Sequence, residues 1–242
     1  MRNCGLALLG VFALLISCNP SGRKIAEPDD PATVWDSPVN AKLRETYDAD
    51  KLKGILQSAR ESIFRVWNDG ELPVLPPLGT NEGLAVRIIV NGKDRGCLAW
   101  YKNTGDMKLF AAFCAAHALR DPRYKPVRPE EAGDTLLELL IIGEWEDMAD
   151  AEDFIPGSHN LWLADGPDNT ILQASLVPQR HYTKQRFLEA ICTKAGLDKN
   201  AWKENKNLLW RRSPALWITE PLSLLKTGKI FDEILSVLSY SS

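Results

Sequence analysis

One long segment near residue 50 carries apolar residues at the spacing of an α-helix. The apolar positions are Leu52, Ile55, Leu56, Ala59, Ile63, Val66 and Trp67. Spacing by three and four places these side chains on one face, so the segment predicts an amphipathic helix packed on a core. Asp50 is the expected N-cap and Gly70 the expected stop.

A β-hairpin is predicted after this helix. Asn91-Gly92 separates two segments rich in strand-forming residues, 84–90 and 93–101. Both central positions of a two-residue type I′ turn need positive φ, which Asn and Gly adopt most easily. Because side chains on a strand alternate between faces, Arg95 and Cys97 are expected on the same face of the returning strand.

The rest of the chain mixes strands and helices without a strict βαβ rhythm, which favours an α+β fold over a doubly wound sheet. The remaining predicted elements are a helix over 107–119, a strand within 135–145 that is shortened or bent near Gly143, strands over 160–163 and 170–176, a helix over 183–194, a strand pair over 208–218 bent at Pro214, and a C-terminal helix within 226–242.

The N-terminal residues carry the pattern of an export signal. Arg2 precedes an apolar run over residues 5–16. As a helix this run would span roughly 18 Å, well short of the ~30 Å hydrocarbon core of a bilayer. It is therefore typical of a signal peptide and not of a membrane-spanning helix. The run ends in Leu-Ile-Ser-Cys at Cys18, which resembles the lipobox of bacterial lipoproteins.

That resemblance implies a signal peptide over 1–17, cleavage before Cys18 and acylation of its thiol by a fatty acid such as palmitate. The protein would then be exported and anchored to a bacterial cell membrane through lipid on Cys18. The alternative is a plain secretory signal with an incidental cysteine. Residues 18–42 are polar and contain proline, so they predict a flexible tether between lipid and domain.

Charge and cysteine content exclude several classes of protein. The formal net charge is −3 with Lys and Arg scattered along the chain, so nucleic acid is not an expected partner. Beyond Cys18 the thiols are Cys97, Cys114 and Cys192, an odd number that argues against a full disulfide framework and leaves one pair open. No two cysteines have the short spacing of a zinc or redox site.

Common catalytic and cofactor motifs do not occur in the sequence. It contains no Gly-rich dinucleotide fingerprint, no Walker loop, no His-Glu-x-x-His and no Gly-x-Ser-x-Gly. The three histidines have no close acidic neighbours that would suggest a transition-metal site. We therefore expect neither a cofactor nor a metal.

Six short segments, taken in order, resemble one known family. They are Ala59-Arg60, Arg95-Gly96-Cys97-Leu98, Asp121-Pro122-Arg123-Tyr124 with Pro126, Gly157-Ser158-His159-Asn160-Leu161, Val177-Pro178-Gln179 and Lys194-Ala195-Gly196-Leu197. Their order and spacing resemble the AMME-syndrome candidate family, called the A component of the AmmeMemoRadiSam system in prokaryotes. The resemblance covers about residues 45–220 and predicts a single domain over 43–225, with a tail over 226–242.

The resemblance implies an α+β fold with one main mixed or antiparallel sheet, flanking helices and a smaller lobe. It implies no established reaction. The sequence departs from the family pattern at Ala99 and Asn160, where the family has glycine, and at Val177 and Arg180, which flank the Pro-Gln pair where the family favours leucine and valine.

Cys97 and His159 are the sharpest candidates for chemistry. A thiolate activated by an imidazole is the arrangement of cysteine nucleophiles, with Cys97 as nucleophile and His159 as base. The alternative is that Cys97 is a small buried hydrophobic residue and that His159 only makes a hydrogen bond in its loop.

Three further residues are candidates for binding a ligand. Arg95 either binds an anion in the family's cleft or is a paired strand residue. Asp121 and Arg123 either contact a ligand or brace their turn by hydrogen bonds. Gly96 is expected to let another backbone approach the strand or to mark a bulge.

Two functions follow from these candidates. The first is a membrane-tethered binding or accessory domain with a cleft around Arg95, Cys97 and His159, whose small-molecule or protein partner the sequence does not name. The second is a thiol-dependent enzyme with Cys97 as nucleophile and His159 as base. The two differ in whether Cys97 is exposed and within hydrogen-bond reach of His159.

Overall fold

A computed structural model describes residues 37–223. The predictions for the signal peptide, Cys18 and the C-terminal helix lie outside these residues. The helices are α1 (Ala41–Thr46), α2 (Ala49–Asp69), α3 (Met107–Ala118), α4 (Leu176–Arg180), α5 (Lys184–Lys194) and α6 (Ala201–Glu204), with short 3-10 helices at Pro38–Asn40 and Pro129–Asp134. The strands are β1 (Asn81–Val90), β2 (Lys93–Thr104), β3 (Thr135–Ile142), β4 (Glu146–Asp147), β5 (His159–Asp165), β6 (Asp168–Leu172) and β7 (Leu209–Pro221).

The strands form one antiparallel sheet in the order β2-β1-β3-β7-β5-β6, with β4 also paired to β7. The predicted α+β class, antiparallel sheet and flanking helices are confirmed. The strand pair predicted over 208–218 is in fact the single strand β7. Pro214 marks where β7 changes partners, because residues up to Pro214 pair with β5 and residues from Ala215 pair with β3.

The long strand β7 joins two hydrophobic cores into one domain. In the larger core, α2 and α3 pack on β1, β2 and β3, with Leu56, Phe110 and Leu139 fully buried. In the smaller core, α5 packs on β5 and β6, with Phe187 and Leu161 fully buried. The smaller core is the lobe that the family resemblance implied.

Local capping chemistry sets the helix ends. Asp48, not Asp50, caps α2, because Asp48 has the extended backbone of a cap residue and its carboxylate accepts the Lys51 N–H at 2.8 Å. Gly70 ends α2 in the left-handed conformation with φ 74°, as predicted. Thr183 caps α5 by accepting the Arg186 N–H at 3.2 Å.

The folded domain begins earlier than predicted. Residues 37–42 were expected to belong to the tether, but they form the 3-10 helix and the start of α1. Asn40 is fully buried, and Leu43 and Tyr47 join the larger core. Burial of these apolar side chains stabilises the segment against the domain. Among the described helices, none has the length and apolar character needed to cross a bilayer.

Candidate functional site

A cleft of about 710 Å³ lies where β1, β2 and the loop after α3 face β6, α4 and α5. We call it the Cys97 cleft, since the thiol of that residue lines it. Among the described residues, six cationic side chains and two acidic side chains line the cleft. The cations are Arg87, Arg123, Arg180, Arg186, Lys194 and Lys199, and the acids are Asp94 and Glu189. The cleft is therefore positively charged although the whole chain is slightly acidic.

A β-bulge decides which residues of β2 face the cleft. Gly96 pairs with Ile88, but Asp94 pairs with the next residue of β1, so Arg95 is an extra residue in the ladder. A bulge of this kind shifts the alternation of side chains along the strand. Asp94 consequently lines the cleft with Cys97, and Arg95 does not.

Arg95 is held by an ion pair and does not line the cleft. Its guanidinium donates to the Glu131 carboxylate at 2.8 Å and to the carbonyls of Lys125 and Pro126 at about 3.2 Å. The expectation that Arg95 and Cys97 share a face is therefore wrong, because the bulge separates them. The Asn91-Gly92 turn itself is confirmed, with φ values of 50° and 71°.

The floor of the cleft contains a charged row across three strands. In register, Cys97 on β2 lies opposite Arg87 on β1, and Arg87 lies opposite Glu138 on β3. Arg87 Nη2 donates to Glu138 Oε2 at 2.9 Å, and both side chains are almost completely buried. Gln179 bridges the pair, since its amide donates to Glu138 and its carbonyl accepts from Arg87.

Arg87, which lines the cleft, has unused hydrogen-bonding capacity. Its Nε and Nη1 are buried and make no hydrogen bond with any described residue. Arg87 Nη1 lies 3.5 Å from Asp94 Oδ1, an ion-pair distance without hydrogen-bond geometry. Buried donors are normally satisfied. A buried guanidinium with two unmatched nitrogens on the wall of a cleft is therefore suited to bind an anion.

Cys97 is half-buried and in its thiol form at neutral pH. Burial raises the pKa of the Cys97 thiol, and this outweighs the opposing attraction of Arg87 and Arg123. Gln173 Nε2 donates to the sulfur at 3.7 Å. Cys114 and Cys192 are fully buried, and all three described cysteines are free of disulfides.

Asp121 braces its turn, as one of the two sequence interpretations predicted. Its carboxylate accepts the backbone N–H groups of Cys97 and Arg123, both at 3.1 Å, and a charge-assisted bond from Arg123 Nη2 at 2.6 Å. The Arg123 hydrogen bonds hold the pKa of the Asp121 carboxyl below its usual range. With its oxygens occupied, Asp121 fixes Arg123 at the cleft wall and does not itself face the cleft.

His159 does not meet Cys97. Its Nδ1 accepts the backbone N–H of Ile155 at 2.9 Å, so the ring is held by its own loop. It lines a separate cavity together with Asp153 and Arg212. Burial, aided by repulsion from Arg212, lowers the pKa of His159 to about 4, so the ring is neutral at pH 7. The predicted nucleophile and base pair is therefore not formed.

The opposite wall contributes cations from the smaller lobe. Arg180 donates to Asp94 Oδ2 at 2.7 Å. Lys194 Nζ donates to the carbonyl of Ile171 at 2.6 Å. Loss of water around its ammonium lowers the pKa of Lys194. The Cys97 side chain opposes this shift, whereas repulsion from Arg123 and Arg180 lowers the pKa of Lys194 further. Arg123, Arg180 and Lys194 line the same cleft as the Cys97 thiol.

Sequence reasoning missed Arg87 and Glu138. Arg87 is the single charged residue of the apolar segment 84–90 in β1, Glu138 is the single charged residue of β3, and the two have opposite signs. Since charged residues are rarely buried without a partner, this pattern was a usable signal for a buried ion pair. Within residues 37–223, no group of His, Cys, Asp and Glu side chains is arranged to hold a metal ion.

Known proteins share both the sequence pattern and the fold of this chain. A protein of Methanosarcina acetivorans is 30% identical over 136 residues, which cover 53% of this chain and 68% of that protein. A protein of Methanococcoides burtonii is 25% identical over 181 residues, which cover 71% of this chain and 90% of that protein. The crystal structure of the uncharacterized protein PH0010 from Pyrococcus horikoshii has the same fold, with a TM-score of 0.60 at 20% identity over 69% of this chain and 89% of that one.

The AMMECR1 family profile matches residues 56–212. This range contains every residue that lines the Cys97 cleft. It also includes the six segments in which the sequence resembles the family. Because the match spans well over half of the chain, this protein belongs to the AMMECR1 family.

Proposed function

We propose that this domain binds a small anionic ligand in the Cys97 cleft and acts as a binding or accessory component. The observation that carries the proposal is Arg87, which lines the cleft and whose buried Nε and Nη1 have no hydrogen-bond partner among the described residues. An anion supplies the acceptors that these nitrogens lack, and a charged acceptor makes the stronger hydrogen bond.

The charge of the walls supports the same ligand class. Arg123 and Lys194 repel one another across the cleft, and an anion placed between them relieves that repulsion. A cleft with low-dielectric walls and one sign of charge also concentrates oppositely charged solutes. Anion binding therefore uses both the floor and the rim of the cleft.

Binding is favoured over thiol chemistry because Cys97 lacks the partners of a nucleophile. The pKa of its thiol is raised by burial, whereas catalytic cysteines have lowered values. His159 lines a different cavity and has its Nδ1 engaged with Ile155. The thiol is thus suited to contact a ligand, without a base in place to activate it.

Titration calorimetry with a panel of mono-, di- and tricarboxylates and inorganic phosphate tests the proposal. We expect saturable binding by the wild type and weaker binding, by about fivefold or more, for Arg180→Gln. Bound anion should also slow alkylation of Cys97 by iodoacetamide. Cys114 and Cys192 are fully buried and should not compete for the reagent.

The matched control is Arg65→Gln. Arg65 is exposed on α2 and does not line the cleft, so the variant makes the same change in net charge elsewhere. It should bind the panel as the wild type does. Equal weakening by both variants, or no saturable binding to any member of the panel, would contradict an anion site in the cleft.

We also propose that the domain is held at a bacterial membrane through lipid on Cys18, on the strength of the Leu-Ile-Ser-Cys pattern. In the host, Cys18→Ser should abolish incorporation of labelled palmitate, because the acylated thiol is gone. Cys4→Ser, which changes a cysteine within the predicted signal peptide, should leave labelling intact. Undiminished labelling of the Cys18 variant would remove this anchor.

A further inference from the structure

Asp94 occupies a distinctive place in the Cys97 cleft. Its Oδ2 accepts from Arg180 Nη2 at 2.7 Å, and its Oδ1 lies 3.5 Å from Arg87 Nη1. One carboxylate group thus lies between a guanidinium of β1 and a guanidinium of α4, which belong to opposite walls. The bulge at Arg95 puts it there, because in a regular strand Asp94 and Cys97, three residues apart, would face opposite sides.

The contact between Asp94 and Arg87 is incomplete. At 3.5 Å, Arg87 Nη1 makes no hydrogen bond to Asp94, and Arg87 Nε has no partner among the described residues either. The reach of Asp94 is limited, since its short side chain is attached to a strand residue that already pairs with β1. A carboxylate on a free ligand has no such tether and can approach Arg87 to normal hydrogen-bond distance.

We infer that Asp94 stands in for a ligand carboxylate, and that the ligand is a small polycarboxylate, one of whose carboxylates replaces Asp94 between Arg87 and Arg180. This inference rests on the proposed function and names the class of anion. A carboxylate is favoured over other anions because the two guanidiniums are already arranged around a carboxylate group.

More than one carboxylate is favoured by the charges that remain. Within residues 37–223, the one other acid lining the cleft is Glu189, which is already paired with Arg186 at 2.9 Å. Arg123 is already paired with Asp121, whereas Lys194 and Lys199 line the cleft without a salt bridge to a described acid. A second carboxylate on the same ligand balances these two cations, as a single carboxylate cannot do from the position of Asp94.

Asp94→Asn tests the inference, because it keeps the size of the side chain and removes the charge that competes with the ligand. Titrated with succinate at low, fixed ionic strength, the variant should bind on the order of fivefold more tightly than the wild type. The affinity for acetate should increase less, because acetate carries a single carboxylate. The affinity for inorganic phosphate should also increase less, because phosphate does not have the shape of the Asp94 carboxylate.

Glu189→Gln is the matched control. It removes one negative charge from the lining of the same cleft, but Glu189 contacts Arg186 and not Arg87 or Arg180. The affinity of the Glu189→Gln variant for succinate should differ from that of the wild type by less than about twofold. An equal gain in affinity in both variants would mean that the net charge of the cleft alone causes the effect. Weaker binding by Asp94→Asn would show that Asp94 supports the site and does not compete with the ligand.

The outcomes also separate this inference from the proposed function. If the wild type binds anions saturably but Asp94→Asn binds succinate no more tightly, Asp94 does not compete with a ligand carboxylate. The proposal of an anion site in the cleft is then unaffected. A larger gain for phosphate than for succinate would overturn the choice of carboxylate. If neither protein binds any anion tested, the proposed function itself fails.

Discussion

Replacing Glu138 by leucine is expected to lower the free energy of unfolding by about 3–5 kcal/mol, the range for removing one partner of a buried ion pair. Arg87 is only 3% exposed and would keep its charge without the carboxylate that accepts from it at 2.9 Å. The Ser175 hydroxyl, which donates to Glu138 Oε1 at 2.7 Å, would lose its acceptor as well. Urea unfolding at pH 7 measures the change.

The double variant, with Arg87→Leu added, separates the lost charge pair from lost packing. Two apolar side chains opposite each other on β1 and β3 leave no buried charge, so the double variant should recover to within about 2 kcal/mol of the wild type. If it is no more stable than Glu138→Leu alone, the uncompensated Arg87 is not the main cause of the loss. The double variant should also lose anion binding in the cleft.

Local sequence chemistry was sufficient for the elements that it controls. The Asn91-Gly92 turn has the positive φ values that a two-residue hairpin requires. Gly70 ends α2 as predicted, and Thr183, where the predicted helix over 183–194 begins, caps α5. These features depend on residues within one turn of each other, so their spacing along the chain contains the information needed.

Features that depend on pairing between strands were predicted only in part. Gly96 indicated a bulge or a close backbone approach, and both occur there, but the sequence of β2 does not show that Arg95 is the extra residue. The register that sets Arg87 opposite Glu138 joins residues 51 positions apart. Strand spacing alone therefore placed Arg95 in the cleft, although Asp94 lines it and Arg87 forms its floor.

The candidate site was predicted in part for the same reason. Cys97 and Arg123, two of the predicted candidates, line one cleft, and Lys194 from another family segment lines it as well. The family motifs did not reveal that His159 faces another cavity, where the backbone N–H of Ile155 holds its ring. A motif places a segment near a site, but the hydrogen bonds of the folded loop decide which way the side chain points.

Gly96→Ala is expected to destabilise the domain by roughly 3 kcal/mol, at the upper end of the range for overpacking. A Cβ on Gly96 would lie 2.0 Å from the carbonyl oxygen of Ala118, the last residue of α3. This atom belongs to the backbone and cannot rotate away as a side chain would. Either α3 moves as a unit away from β2, or β2 loses its pairing with β1.

The same close approach connects α3 to the cleft. Asp121 follows Ala118 by three residues and accepts the Cys97 N–H, so a displaced α3 also moves Asp121 and the Arg123 side chain that it holds. We therefore expect Gly96→Ala to weaken anion binding as well as to lower the urea midpoint. Gly133→Ala is the control, since a Cβ there meets no atom within 4 Å and should change stability by less than about 0.5 kcal/mol. Equal stability of the two variants would mean that α3 yields to the added methyl group at no cost, and would remove the steric reason for glycine at position 96.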